Sequence, residues 1–165
     1  AQKDSKGIDF RVDSCSELAT CGDAGFDAVV SNYVVMDVPD LDGVAGSFYR
    51  VLRPGGTAVL VFSHPCFPGG SAERTEDGVT YEWKHSYFEQ RKRVDPIWGH
   101  FKENFIWFHR PLSDYWKSFA AAGFVVTGFE EPRISGERLQ LAKAKEVSKL
   151  LMQPYSVAFR LSKPA

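Results

Sequence analysis

Two histidines stand where a proton could be moved. His64 follows an apolar run and is trailed by Pro65, Cys66 and Phe67. A neutral imidazole there can accept a proton from a bound molecule. The plainer role is a hydrogen-bonded histidine beside a proline turn. Cys66 reads as a pocket-lining thiol, since no neighbour in sequence favours its thiolate, and Phe67 would line the same pocket. His109 and Arg110 open a second segment, Phe108-His109-Arg110-Pro111-Leu112. His109 is the other candidate proton acceptor. The planar fork of Arg110 matches a carboxylate, against the alternative of a surface ion pair. Trp107 and its aromatic neighbours Trp83, Tyr87, Phe88, Trp98 and Phe105 either line an apolar pocket or form their segment's own core. No His/Cys/Asp cluster has metal-ligand spacing, so no metal is expected, and no GxSxG nucleophile motif occurs.

The elements that must position these residues follow from hydrophobic periodicity. Ile8 to Val12 alternates and reads as a short strand. Phe26 to Tyr33 carries a continuous Ala-Val-Val centre, as a strand covered on both faces does. Leu41, Val44, Ala45, Phe48, Val51 and Leu52 recur at helical spacing within a helix from Pro39 to Leu52. Arg53-Pro54-Gly55-Gly56 stops that helix, and Thr57 to Phe62 is the next buried strand. Strand, helix, strand with a tight turn predicts a parallel α/β sheet.

From Ser63 to Arg110 the chain turns rich in aromatics, charges, Pro and Gly. Tyr81–Lys84 and Asn104–Phe108 could be strands of a small antiparallel insertion. Arg91-Lys92-Arg93 reads as a solvated edge, with an anion site as the sharper alternative. So long a stretch without structure is uncommon in a compact domain, so it is expected to fold as a lid. A helix then runs from Leu112 to Ala122, Phe124 to Phe129 is a strand, 137–152 is helical at least from Ala142, and Tyr155 to Leu161 is the last strand.

Composition bounds the rest. The chain has 165 residues, 25% charged, with a net charge of −1. Nucleic-acid and membrane-surface binding would need a basic excess, so neither is expected. No apolar run spans a bilayer. Three cysteines without metal spacing suit reduced thiols in a cytoplasmic protein.

The order of elements resembles the class I S-adenosylmethionine-dependent methyltransferases. The resemblance is carried by FDAVVSNYVVMDVPD (26–40), by FYRVLRPGGTAVLVF (48–62), and by AAAGFVVTGFEEP (120–132) followed by YSVAFRLSKP (155–164). It implies a Rossmann-like sheet with helices on both faces, an antiparallel final strand pair, and an aromatic cap at about 64–110 within one partial domain, 1–165. Ligands of open α/β sheets bind outside the carboxyl ends of the strands. By the resemblance, Asp13 and Ser14 lie beside the cofactor's adenine, the alternative being a plain turn. Asn32, Tyr33 and Val34 lie near its methionine part and reactive methyl, with loop capping the alternative for Asn32. Asp37 could cap the next helix. His64 and His109 are the catalytic candidates; Cys66, Phe67, Trp107 and Arg110 are the acceptor-binding ones.

That family's glycine-rich cofactor turn and the acidic residue of its second strand find no match here. Its first two strands are therefore read as absent, lost by truncation, proteolysis or a gene-model error, or replaced by another chain. Without them Ile8–Val12 has no neighbour and Phe26–Tyr33 is an open edge, which a homodimer would cover. The function the resemblance implies, where the N-terminal cofactor-binding half is present, is in-line methyl transfer from S-adenosylmethionine to a small-molecule acceptor, with S-adenosylhomocysteine as product; activity is not expected of these residues alone. Two other readings are a non-catalytic remnant serving as an interaction module and a nicotinamide-dependent oxidoreductase. The PGG passage and the antiparallel terminal pair oppose the last.

Overall fold

A computed structural model describes residues 7–67, 72–75, 78–97, 99, 102–133 and 153–165. Its centre is a four-stranded sheet. Strand β1 (Phe26–Asn32) pairs in parallel with β2 (Leu52–Ser63), and helix α1 (Leu41–Val51) makes the crossover. Asp40 caps α1, its carboxylate accepting from the Gly43 N–H at 2.9 Å, which satisfies one of the free donors of the first turn. Leu41, Val44, Ala45, Phe48 and Val51 form the buried face of α1. The chain leaves the helix at Leu52, already extended, and turns at Gly55, whose φ of +75° suits glycine. A side chain at Gly56 would meet the Arg53 carbonyl at 2.8 Å. The double glycine thus lets β2 begin immediately behind its helix.

Two further strands complete the sheet. After hairpins β3 (Ala72–Thr75) with β4 (Gly78–Tyr81), and β5 (Arg91–Asp95) with β6 (Phe105–His109), come helix α2 (Leu112–Ala121), β7 (Val125–Glu130) and β8 (Ser156–Ser162). β8 lies between β2 and β7, antiparallel to both. The order is β1-β2-β8-β7. β7 therefore runs in the direction of β1 and β2, so its carboxyl end and the start of β8 meet the carboxyl ends of β1 and β2.

Ala58, Leu60 and Phe62 of β2 and Val157, Phe159 and Leu161 of β8 point into one core with Phe48 and Phe119. Phe159 stacks on Phe62 with ring centres 5.9 Å apart and meets Phe119 edge-on at 5.4 Å. α1 and α2 enter this same core, so among the described residues helices cover one face of the sheet, where both were expected.

Three expectations are corrected. Ile8–Val12 forms no strand; Ile8, Phe10 and Val12 lie exposed, since an alternating pattern makes a strand only where a neighbour takes its hydrogen bonds. The strand placed at Tyr81–Lys84 is Gly78–Tyr81. Asn104–Phe108 shifts to Phe105–His109. Arg91-Lys92-Arg93 lies on an edge strand of a two-stranded sheet, across from His109, Phe108 and Trp107, with Lys92 exposed and both arginines half-buried. The helix expected at 137–152 lies outside the described residues. β1 is an open edge with Val30 76% exposed.

Phe159 is the ring on which the layers converge. Replacing it by alanine should cost about 3–5 kcal/mol, measured by urea unfolding. Val30→Thr on the open edge should stay within about 0.5 kcal/mol of wild type.

Candidate functional site

A cavity of about 430 Å³ opens at the carboxyl ends of β1 and β2. Tyr33 and Asp37 border it from the loop after β1, Ser63 and His64 from the end of β2, and Trp107, His109 and Arg110 from β6 and its exit. Tyr115 and Tyr155 close it. The sequence candidates Tyr33, His64, Trp107, His109 and Arg110 thus come together. Cys66 and Phe67 do not line the cavity. Phe67 packs against the rings of His64 and Tyr81, and the Cys66 N–H donates to His64 Nδ1 at 3.2 Å.

His64 is only 3% exposed and both its nitrogens are engaged. With Nδ1 accepting from Cys66, Nε2 carries the proton and donates to Glu131 at 2.8 Å. The His64 N–H donates to the Tyr155 carbonyl at 2.9 Å, tying the end of β2 to the entry of β8. This is the hydrogen-bonded structural arrangement. Glu131 escaped the sequence reading although its position after β7 marks it: the antiparallel return through β8 places it beside a residue 67 positions away.

His109 differs. Its Nε2 bonds to the Tyr87 carbonyl at 2.8 Å, which makes Nε2 the donor and leaves Nδ1 as an acceptor. Tyr87 also receives the Leu112 N–H at 2.7 Å on its phenol oxygen, locking the start of α2 to the preceding segment. Burial first, and the Cys66 thiol second, push the Tyr87 phenol up to about 12.

Arg110 is 6% exposed. Its Nη2 donates to the Val38 and Pro39 carbonyls, each at 2.7 Å, and the guanidinium lies over the Phe108 ring at 5.3 Å. Nη1 is buried without an acceptor. Arg110 is therefore no surface ion pair. Trp107 donates to Asp95 at 2.8 Å and carries Arg93 over its ring at 4.9 Å. Asp37 is not the cap of α1, a role Asp40 takes. It stands at the cavity, where burial by its neighbours raises its carboxyl; the side chain still meets solvent, so the effect is modest.

The residues expected at a cofactor fall into two groups. Asn32 is exposed at the end of β1, and its carboxamide makes no hydrogen bond among the described residues. Tyr33 holds φ at +54° and bonds through its phenol to the Ser156 hydroxyl, and Val34 is exposed beside it. These three fit the amino-acid end of S-adenosylmethionine, offering a free donor and acceptor next to an apolar wall. Asp13 fits less well. Its carboxylate receives the Ser14 N–H at 2.8 Å and both the N–H and hydroxyl of Thr20 at 2.7 Å, bonds that hold it below the usual carboxylate range. Ser14 shares its hydroxyl with Ser16. Both serve mainly to shape their own loop. Among the described residues no His, Cys, Asp and Glu group could hold a metal, and no helix is long and apolar enough to cross a membrane.

Known proteins share this architecture. A crystal structure of an S-adenosylmethionine-dependent methyltransferase from Mesorhizobium loti matches with a TM-score of 0.77 at 16% identity, over 95% of this chain and 70% of that one. A protein from Listeria monocytogenes assigned to the same class matches with 0.75 at 19% identity, over 93% and 68%. A third, from Methanosarcina mazei, gives 0.56 at 16% identity, over 99% and 70%. The family model described as a methyltransferase domain matches residues 1–60. No curated protein sequence matches the chain. The fold is that of a class I S-adenosylmethionine-dependent methyltransferase-like domain.

Tyr87 supplies a test of this geometry. The folded chain holds its phenolic proton up to about 12, whereas the unfolded chain releases it near the ordinary tyrosine value of 10.0. The native state thus binds the proton more tightly, and stability falls as pH rises between those two values. In an alkaline titration followed by tyrosinate absorbance, Tyr87 should ionise late, together with Tyr81 and the buried Tyr115, both also raised by burial. Tyr87→Phe should remove one of the three late steps; retention of all three would refute the assignment.

Proposed function

We propose that this domain transfers a methyl group from S-adenosylmethionine to a small-molecule acceptor held in the cavity at the carboxyl ends of β1 and β2. The observation that carries the reading is an aromatic-walled cavity bordered by Tyr33, with the exposed Asn32 and Val34 on either side of that residue in the chain at the end of β1. The cofactor, when bound, supplies an electrophilic methyl on a sulfonium. What the chain must add is position and the exclusion of water. Asn32 binds the donor's amino-acid end, and Tyr33 and Val34 wall it; Asp13 and Ser14 contribute through the shape of their loop. The hairpin bearing Trp107 covers the acceptor. His109 takes the acceptor's proton at Nδ1, because the Tyr87 carbonyl fixes the proton on Nε2. His64 holds the floor of the cavity through Glu131, and proton transfer falls to His109. A small-molecule acceptor suits a cavity of about 430 Å³ walled by aromatic rings, and the net charge of −1 offers nothing to nucleic acid.

A second reading has an observation of its own. The open β1 edge, with Val30 exposed and Ile8, Phe10 and Val12 exposed nearby in sequence, suits an interaction module or the seam of a homodimer.

Calorimetric titration with S-adenosylhomocysteine separates the two. Binding near one per chain, weakened about tenfold by Asn32→Ala, supports methyl transfer. Absence of any binding heat would shift the assignment to the interaction module.

A further inference from the structure

Arg110 is a buried cation without a counter-charge. Its described partners are neutral: two main-chain carbonyls on Nη2, the face of Phe108 and the Tyr115 phenol. No carboxylate lies in ion-pair range of it among the described residues. Nη1 has no acceptor at all. Charges taken out of water are ordinarily paired, and a lone one is costly. Asp37 borders the same cavity and does not serve as that partner. A guanidinium in contact with a carboxylate lowers it, whereas burial alone acts on Asp37, and upward. Carbonyls and a ring meet some of the hydrogen-bond demand of Arg110 and leave its charge unbalanced.

The remaining wall of the cavity narrows what would balance it. Trp107, Phe108, Tyr115 and Tyr155 give flat apolar surface, which suits an aromatic body. Arg110 is the only Lys or Arg among the described residues lining this cavity. With both Nη2 hydrogens given to Val38 and Pro39, Nη1 is the group left to donate to a carboxylate oxygen; a phosphate dianion would call for several donors.

Building on the reading of the cavity as the acceptor site, we propose that the acceptor is an aromatic carboxylate whose anionic group seats on Arg110. Arg110 then has two functions. Through Nη2 it fixes the Val38–Pro39 segment, and with its charge it orients the acceptor so that the opposite end of the ring faces the end of β1.

The test needs no cofactor. Benzoate, 4-hydroxybenzoate and their neutral isosteres benzamide and 4-hydroxybenzamide are titrated into the full chain and followed by ligand-observed NMR. The carboxylates should bind about tenfold or more tightly than the amides. Bound probes should show nuclear Overhauser contacts to the Trp107 indole. Arg110→Gln should erase the preference, and Arg110→Lys should keep part of it, since a positive charge remains. Circular dichroism reports whether each variant folds; should either fail, the wild-type acid-against-amide comparison and the shift of the Arg110 Nε–H resonance on adding benzoate decide alone. Equal affinity of acids and amides, no binding of any probe, or contacts away from Trp107 would overturn the proposal. Failure of S-adenosylhomocysteine to bind while benzoate still prefers Arg110 would instead refute methyl transfer and leave the carboxylate site standing.

Discussion

Strand β2 takes a parallel neighbour on one side and an antiparallel one on the other, and the geometry of the cavity depends on that change of direction. Its hydrogen bonds to β1 set the two carboxyl ends level. Its hydrogen bonds to β8 bring the start of a distant strand to the same rim. Alternate side chains Ala58, Leu60 and Phe62 bury against α1 and α2, so a slip of one residue would turn the apolar row to solvent. The core therefore fixes the register, and the register fixes where His64 emerges.

Polar groups at the rim then divide between holding and presenting. His64 has both nitrogens spent, on Cys66 and on Glu131, so a proton placed on it would have to displace the Cys66 N–H. His109 has one nitrogen spent on Tyr87. The difference comes from their positions. His64 lies where three segments meet, and each contributes a partner. His109 ends a hairpin strand, with the cavity on one side. Two histidines equal in sequence become unequal because each ring meets one main-chain group and only His64 also meets a carboxylate, that of Glu131.

Much of the frame was legible in the sequence. β1, α1, β2, α2, β7 and β8 follow from periodicity and from proline and glycine punctuation, and their ends fall within a few residues of the reading. The failures share a cause. Ile8–Val12 alternates correctly yet pairs with nothing, because pairing depends on a neighbour and not on the segment itself. Arg91-Lys92-Arg93 looks solvated by type, yet is a strand whose arginine at 93 bonds Asp95 and stacks on Trp107; long cationic side chains cover apolar surface with their stems. Glu131 was invisible because its bond to His64 is made by topology, and Asp37 was mistaken for a cap because Asp40 stood three residues on with the same chemistry. Of the candidate residues, Tyr33, His64, Trp107, His109 and Arg110 line one cavity, while Asp13, Ser14, Asn32, Val34, Cys66 and Phe67 do not. The hydrogen bonds of those that do were not legible, since they depend on which main-chain and side-chain groups the fold brings within reach.

The segment before α2 links cover and chemistry. The Tyr87 carbonyl orients His109 while the Tyr87 phenol receives the N–H of Leu112. The Phe108 N–H reaches the Met36 carbonyl at 2.7 Å, and Arg110 clasps Val38 and Pro39. The hairpin is thereby fastened to the loop after β1 on one side and to α2 on the other. A cover attached at both points cannot shift without moving His109, Arg110 and the Met36–Pro39 loop together. The position of the cover and the orientation of His109 are thus coupled, through a single tyrosine and a single arginine.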